Sequence, residues 1–440
     1  TSNDISNIEK KQELIKELSE IGDWRQQFET NSSLIKNNIE SSVISKWLEE
    51  YESFVPKAFR FLPTVFSILS IGVIGLYAFS MVGDIVLLGN VILGLLITGA
   101  YTKKIGLLST RISQVKDTLK QFSNSLEMIE EHEFSSDLGK ELKSRIYRDG
   151  KKASKIFQEL TSEISSLDQR SNAILVPIID GFGLWQLRYS YRIERWIENF
   201  ENTVEEWFEV IDEFHAYNSM ANFAFNHPEF NYPELQSDVI VQAKNLGHPT
   251  LDQGIRVDND VSIKEQQFFI VTGANMAGKS TFLRTVGVSI VAANCGLPVC
   301  ASEFCYHPIK LISSMRTTDS LHKNESYFYS ELKRLQFITE EIQTDKYLII
   351  LDEILKGTNS ADKEEGSRKF VEKLVQSKST GIIATHDLSL CELEKELSSV
   401  RNYFFDAKIA ENDLSFDYKL KEGICENMNA SFLMKQMGIV

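Results

Sequence analysis

The chain has 440 residues, 42% hydrophobic and 25% charged, a globular mixture with enough length for two or three domains. A formal net charge of −15 excludes a surface built throughout to neutralise nucleic-acid phosphates, so any such contact has to be local. The five cysteines, Cys295, Cys300, Cys305, Cys391 and Cys425, form no CxxC pair, which argues against a zinc site and for small buried side chains in a reducing compartment.

The chain opens at Thr1, which reads as a trimmed start, and residues 1–58 form an amphipathic helical segment. Residues 59–104 are different. From Phe61 to Tyr101 the only charged residue is Asp84, and Lys57, Arg60, Lys103 and Lys104 flank the run. Leu62–Met81 is long enough to cross a hydrocarbon layer, which takes about 20 apolar residues, and Ile85–Tyr101 is at the short end of that range. Val82-Gly83-Asp84 makes the turn between them. The basic flanks predict a two-helix membrane hairpin over residues 62–101 with both ends cytoplasmic. The alternative is a buried hairpin of a soluble domain, which Asn90 in the second run keeps open. An internal, double run without a small-residue cleavage pattern is not a signal peptide.

Residues 105–235 predict a helical lever or core domain: Ile112, Val115, Leu119, Phe122 and Leu126 recur at three- and four-residue spacing. Such helices either simply pack on one another or transmit motion from a nucleotide site. Arg145, Arg148, Lys151 and Lys152 lie in a helical stretch interrupted by Gly150. They are candidates for nucleic acid or anionic lipid, beside the plainer reading of a solvated face.

Residues 236–440 predict an α/β P-loop ATPase domain, a largely parallel sheet flanked by helices, preceded by the all-α region with its hydrophobic hairpin. The buried strand Phe268-Phe269-Ile270-Val271 leads into Gly273-Ala274-Asn275-Met276-Ala277-Gly278-Lys279-Ser280, a Walker A pattern, with Thr281 next and a helical pattern behind. Backbone N–H groups and a helix N-terminus aimed at phosphates need the glycines for close approach. Lys279 would reach the β- and γ-phosphates of ATP, and the Ser280 hydroxyl would take one position on Mg²⁺.

A second apolar strand, Tyr347–Leu351, ends in Asp352-Glu353. Asp352 would hold Mg²⁺ through water, and Glu353 would act as general base on the attacking water. A third, Gly381-Ile382-Ile383-Ala384-Thr385, ends in His386-Asp387, which places His386 to contact the γ-phosphate or the lytic water.

Four segments, GANMAGKSTFLRTVG, SSMRTTDSLHKNESYFYSELKRL, LIILDEILKGTNSADKEEG and IIATHD, resemble in order the nucleotide motifs of the MutS DNA mismatch-repair family. The resemblance covers about 200 residues. It is weaker in the lead-in around Trp196, Trp207 and Phe214, and it extends to His248-Pro249 and to the ending Met434–Val440, so the domain reads as complete. It implies a homodimer through the ATPase domain, with Ser326 presented in trans to the partner's γ-phosphate, and with Gly357-Thr358-Asn359-Ser360 crossing the same interface or forming a plain strand-to-helix turn. It also implies binding of duplex DNA by a helical clamp. Two departures matter. No aromatic that would stack on adenine is evident between Leu251 and Val261, and the family's mismatch-reading domain finds no counterpart in composition or position in this sequence. Phe157-Gln158-Glu159 and Phe370-Val371-Glu372 carry its wedge pattern in the wrong settings.

The function this predicts is an ATPase with composite dimer sites driving a helical clamp on DNA in repair. The alternative is a membrane-anchored, ATP-driven switch acting on a protein partner without DNA recognition. An ABC transporter ATPase shares both Walker motifs, but no LSGGQ-like signature lies between them here.

Overall fold

The computed structural model describes residues 5–33, 40–168, 175–315, 327–355, 359–410 and 413–425. It divides into two compact units, residues 17–219 and residues 1–16 with 220–440.

The first unit is helical: α1 (Ile5–Glu20), α2 (Gly22–Ser33), α3 (Ser41–Glu49), α4 (Leu62–Ala78), α5 (Asp84–Gly99), α6 (Thr102–Glu131), α7 (Asp137–Arg145), α8 (Ala153–Asp168), α9 (Leu175–Gly183) and the 42-residue α10 (Trp185–Asn226). α1 and α10 each continue into the other unit's residues. The apolar periodicity sets the packing: Ile112, Val115, Leu119 and Leu126 of α6 are buried, and the half-buried Phe122 meets the Phe208 ring at 4.4 Å. Trp207 is fully buried between Phe157 and Phe200, with ring centroids at 5.6 and 6.0 Å. The buried Glu130 carboxylate accepts the Ser154 backbone N–H at 2.9 Å and the Ser154 hydroxyl.

The stretch around Gly150 is not helical. Asp149 and Gly150 both have positive φ, 50° and 75°, and they turn β1 (Tyr147–Arg148) back on β2 (Lys151–Lys152) as an antiparallel hairpin. An Asp-Gly pair favours this tight turn over a helix. Arg145 is taken up structurally, with its guanidinium bonded to Glu206, Glu209 and Glu213 at 3.3, 3.1 and 2.8 Å. Arg148 donates to the Thr203 hydroxyl.

The hydrophobic run also departs from the two expected spans. Among the described residues no single helix is long and apolar enough to cross a membrane; α5 passes that test only jointly with α6, across a bend of 61°. α4 has 17 residues and α5 has 16. The first run stops short because the chain leaves the helix at Phe79, and Ser80 takes a left-handed φ of 59°.

The second unit carries β3 (Glu234–Leu235), β4 (Val241–Leu246), β5 (Asn259–Ile263), β6 (Phe268–Gly273), α11 (Lys279–Asn294), β7 (Glu303–Tyr306), β8 (Lys310–Ser314), α12 (Tyr327–Glu341), β9 (Tyr347–Asp352), α13 (Ser360–Gln376), β10 (Thr380–Ala384), α14 (Leu393–Glu396), β11 (Val400–Ala410) and β12 (Asp413–Glu422). Its main sheet has the order β12-β11-β6-β10-β9-β8, parallel except for the β11–β12 hairpin; β3, β7, β4 and β5 form a second, mixed sheet.

Every residue of β6 and β10 is buried. Alternate residues feed opposite cores: Phe269 and Val271 join Leu283 and Val286 of α11, while Phe268 and Ile270 join Val371 and Leu374 of α13. Burial on both faces explains why these strands read as unbroken apolar runs.

Truncating Trp207 to Ala should destabilise the protein by about 3–5 kcal/mol, read as a lowered urea midpoint. Burial raises the Glu130 carboxyl above its ordinary 4.5, against the opposing Ser154 hydrogen bonds. The native state therefore holds this proton more tightly than the unfolded chain. Its contribution is full below pH 4.5 and is lost as pH rises through the raised value, so Glu130→Gln should flatten the stability profile across that window.

Candidate functional site

The loop from Gly273 to Ser280 leaves the C-terminal end of β6 and opens α11, between the ends of β10 and β11. Gly273 has φ 142°, and a Cβ there would collide with the Phe405 carbonyl of β11; Gly278 has φ 110°. Both positions need glycine. Ala274 and Ala277 are buried, Asn275, Met276 and Thr281 are exposed, and Ser280 is half-buried at the first turn of α11. Met276 stands at a positive φ of 67°.

Lys279 is 5% exposed, and its ammonium donates to the carbonyls of Gly273 and Ala274 at 2.7 and 2.9 Å. Burial depresses its pKa, opposed by the nearby charges of Glu353 and Asp352. Asp352, at the end of β9, is also 5% exposed, and its Oδ1 has no hydrogen-bond partner among the described residues. A buried carboxylate oxygen without a partner at the end of β9 and a half-buried hydroxyl at the first turn of α11 are oxygen donors of the kind that suit a hard divalent cation such as Mg²⁺.

Glu353 follows with φ 52°, held by its N–H on the Ala384 carbonyl at 2.9 Å. Its Oε1 lies 2.9 Å from His386 Nε2, which also lies 3.4 Å from Lys279 Nζ. One ring nitrogen cannot donate to the first and accept from the second at once; the shorter contact has Nε2–H donating to Glu353. Leu355 has φ 59°, an outlier for a large side chain, and its N–H is fixed at 2.6 Å by the buried Glu331 carboxylate of α12. Glu331 therefore braces the loop after β9, a role that its place in the SYFYSE motif did not disclose.

The structure thus gathers Lys279, Ser280, Asp352, Glu353 and His386 at one end of the sheet, where ligands of α/β folds bind. Ser326, Gly357 and Thr358 lie outside the described residues, as does the ending Met434–Val440. Asn359 N-caps α13, its side chain accepting from the Asp362 N–H at 2.9 Å.

Beside the loop is a cleft of about 680 Å³, lined by Leu251, Ile255, Arg256 and Val257 on one side and by Phe405 and Tyr418 on another. Tyr418 is the residue that sequence reasoning missed. It comes from β12, next to Gly278, where a Cβ would lie 3.3 Å from its ring. Asn259 of β5 fixes it, donating to the Tyr418 carbonyl at 3.0 Å and accepting the Leu420 N–H at 2.7 Å across 159 and 161 residues of chain. No local signal near Leu251–Val261 announces an aromatic that the hairpin delivers.

Fold and site together define the class, an α/β ATPase domain. Residues 269–435 match the family MutS domain V, and this match supports a place for the chain in the MutS family. It is 32% identical over 213 residues to the DNA mismatch repair protein MutS of Orientia tsutsugamushi, covering 46% of this chain and 24% of that protein. It is 27% identical over 237 residues to the Thermotoga maritima protein of the same name (52% and 30%), and 34% identical over 203 residues to that of Aquifex pyrophilus (43% and 23%). The matches span about a quarter of the length of these relatives.

Gly273→Ala should collide with Phe405 and displace the loop, abolishing nucleotide binding in a fluorescent-nucleotide titration. The conservative Ala274→Gly should retain it.

Proposed function

We propose that the domain from about residue 236 binds ATP and hydrolyses it to ADP and phosphate with Mg²⁺. The observation that carries this is the convergence of a buried ammonium, a buried carboxylate with one oxygen unpartnered among the described residues, and a Glu–His pair on one glycine-rich loop. The loop N–H groups from Gly273 to Thr281 cradle the phosphates, and Lys279 exchanges its carbonyl partners for β- and γ-phosphate oxygens. Ser280 and Asp352 would hold Mg²⁺, which when bound neutralises charge developing on the phosphates. Glu353 takes the proton of the attacking water, and His386 orients the Glu353 carboxylate and lies beside the γ-phosphate position. Tyr418 stacks on the base, supplying the aromatic surface absent from Leu251–Val261.

The MutS resemblance extends this to a homodimer in which Ser326 of each copy completes the partner's site, with ATP-driven closure moving the helical unit as a clamp on DNA in mismatch repair. The relatives' name, DNA mismatch repair protein, supports the DNA role. Three glutamates engage Arg145 and the Thr203 hydroxyl engages Arg148, which weakens the basic cluster suggested by sequence as a DNA contact and leaves Lys151 and Lys152 as its candidates.

Lys279→Ala should abolish nucleotide binding. Tyr418→Ala should raise KM for ATP about 5- to 150-fold with kcat little changed, as expected for stacking worth about 1–3 kcal/mol. Steady-state turnover measured without DNA, with homoduplex and with mismatched duplex, each at low and high salt, tests the repair reading. Stimulation by duplex that fades at high salt supports it; turnover indifferent to every DNA favours the switch on a protein partner.

A further inference from the structure

The α4–α5 hairpin has the polarity of a soluble domain turned outside in. Ile71, Phe79, Ile85 and Leu96 stand 67%, 80%, 86% and 67% exposed, whereas Ser70 and Thr98 are buried. Other polar groups of the hairpin are paired within it: the Asn90 amide donates to the Ser70 hydroxyl at 2.9 Å, and Ser67 donates to the Pro63 carbonyl at 2.7 Å.

A third helix, unremarked in the sequence, belongs to this assembly. α9 packs on both α4 and α5. It meets α5 backbone to backbone: a Cβ on Gly94 would lie 2.5 Å from the Gly181 carbonyl, and one on Gly181 would lie 2.7 Å from Val91 Cγ1. Its one acid, Asp180, is buried and bonded by the N–H and side-chain amide of Gln186.

The distribution of exposed side chains identifies the occupant. Ile68, Leu69, Ile71 and Ile74 of α4 are all exposed, and at about 100° per residue they fan over an arc of about 220°, more than half the circumference and wider than a single docking stripe. A docked helix or a second copy covers a stripe; a surround of acyl chains covers all of it. At the open end of the hairpin, Lys57, Arg60, Lys103 and Lys104 are exposed, cations placed to meet lipid phosphates.

We propose that α4, α5 and α9 embed together in an anionic lipid bilayer, entering and returning on the same side. The 17 residues of α4 cover about 25 Å, against about 30 Å of hydrocarbon, so the unit is a short inserted hairpin braced by α9 instead of two full independent spans. This does not depend on the nucleotide chemistry.

The test is flotation of the full-length protein with vesicles of phosphatidylcholine, alone or mixed with phosphatidylglycerol. The protein should float with the vesicles, about tenfold more with the anionic ones. Ile71→Glu with Leu96→Glu should cut flotation at least about tenfold while the far-UV circular dichroism spectrum of the lipid-free protein stays unchanged, showing that the variant folds. Replacing Lys57, Arg60, Lys103 and Lys104 by Gln should remove only the preference for anionic lipid. Wild type that stays in the dense fraction with both vesicles overturns the proposal. So does a nucleotide-independent dimer that the Glu pair dissolves without any flotation, because the face then belongs to a second copy.

Discussion

The burial of Lys279 is the constraint around which the ATPase domain is organised. An ammonium taken out of water is costly unless it is bonded and charge-compensated. Here the loop carbonyls of Gly273 and Ala274 supply the bonds, and Asp352 and Glu353 supply the charge. Those partners come from separate strands, so parallel pairing of β6, β10 and β9 in one register is what makes the site possible. The apolar faces of these strands hold that register, because a slip of one residue would turn each inward side chain to the opposite core.

The same site stores backbone strain. Gly273 and Gly278 use conformations closed to other residues, while Glu353 and Leu355 adopt left-handed φ without being glycine. Two hydrogen bonds hold the latter pair, from Glu353 N–H to Ala384 and from Leu355 N–H to Glu331. Strain of this kind persists where surrounding structure over-determines it, and it fixes Glu353 against His386.

Much of this domain was legible in the sequence because each piece is local. An apolar strand followed by glycines and Lys-Ser, or by Asp-Glu, states its own geometry within ten residues. Tyr418 and Glu331 were not legible as parts of the site, since their positions depend on pairing across more than a hundred residues and on the packing of α12 beside β9. In the helical unit the periodicity of α6 pointed to the buried face correctly. The stretch around Gly150 misled because an Asp-Gly turn outweighs flanking helix propensity, and the hydrophobic run misled in length because Ser80 ends α4 early. α9 escaped notice because its nine residues are too few to form a periodic signal and matter through their packing on α4 and α5, which sequence does not announce.

The account's central claim is that Glu353 activates water on a nucleotide held by Lys279 and the loop. Glu353→Gln keeps the shape and the hydrogen bond to His386 but removes the base. Single-turnover hydrolysis and equilibrium ATP binding, measured side by side on this variant, test it most directly. The account predicts ATP affinity within about threefold of wild type and a hydrolysis rate lowered by about 10²–10⁴. Hydrolysis at the wild-type rate would contradict it.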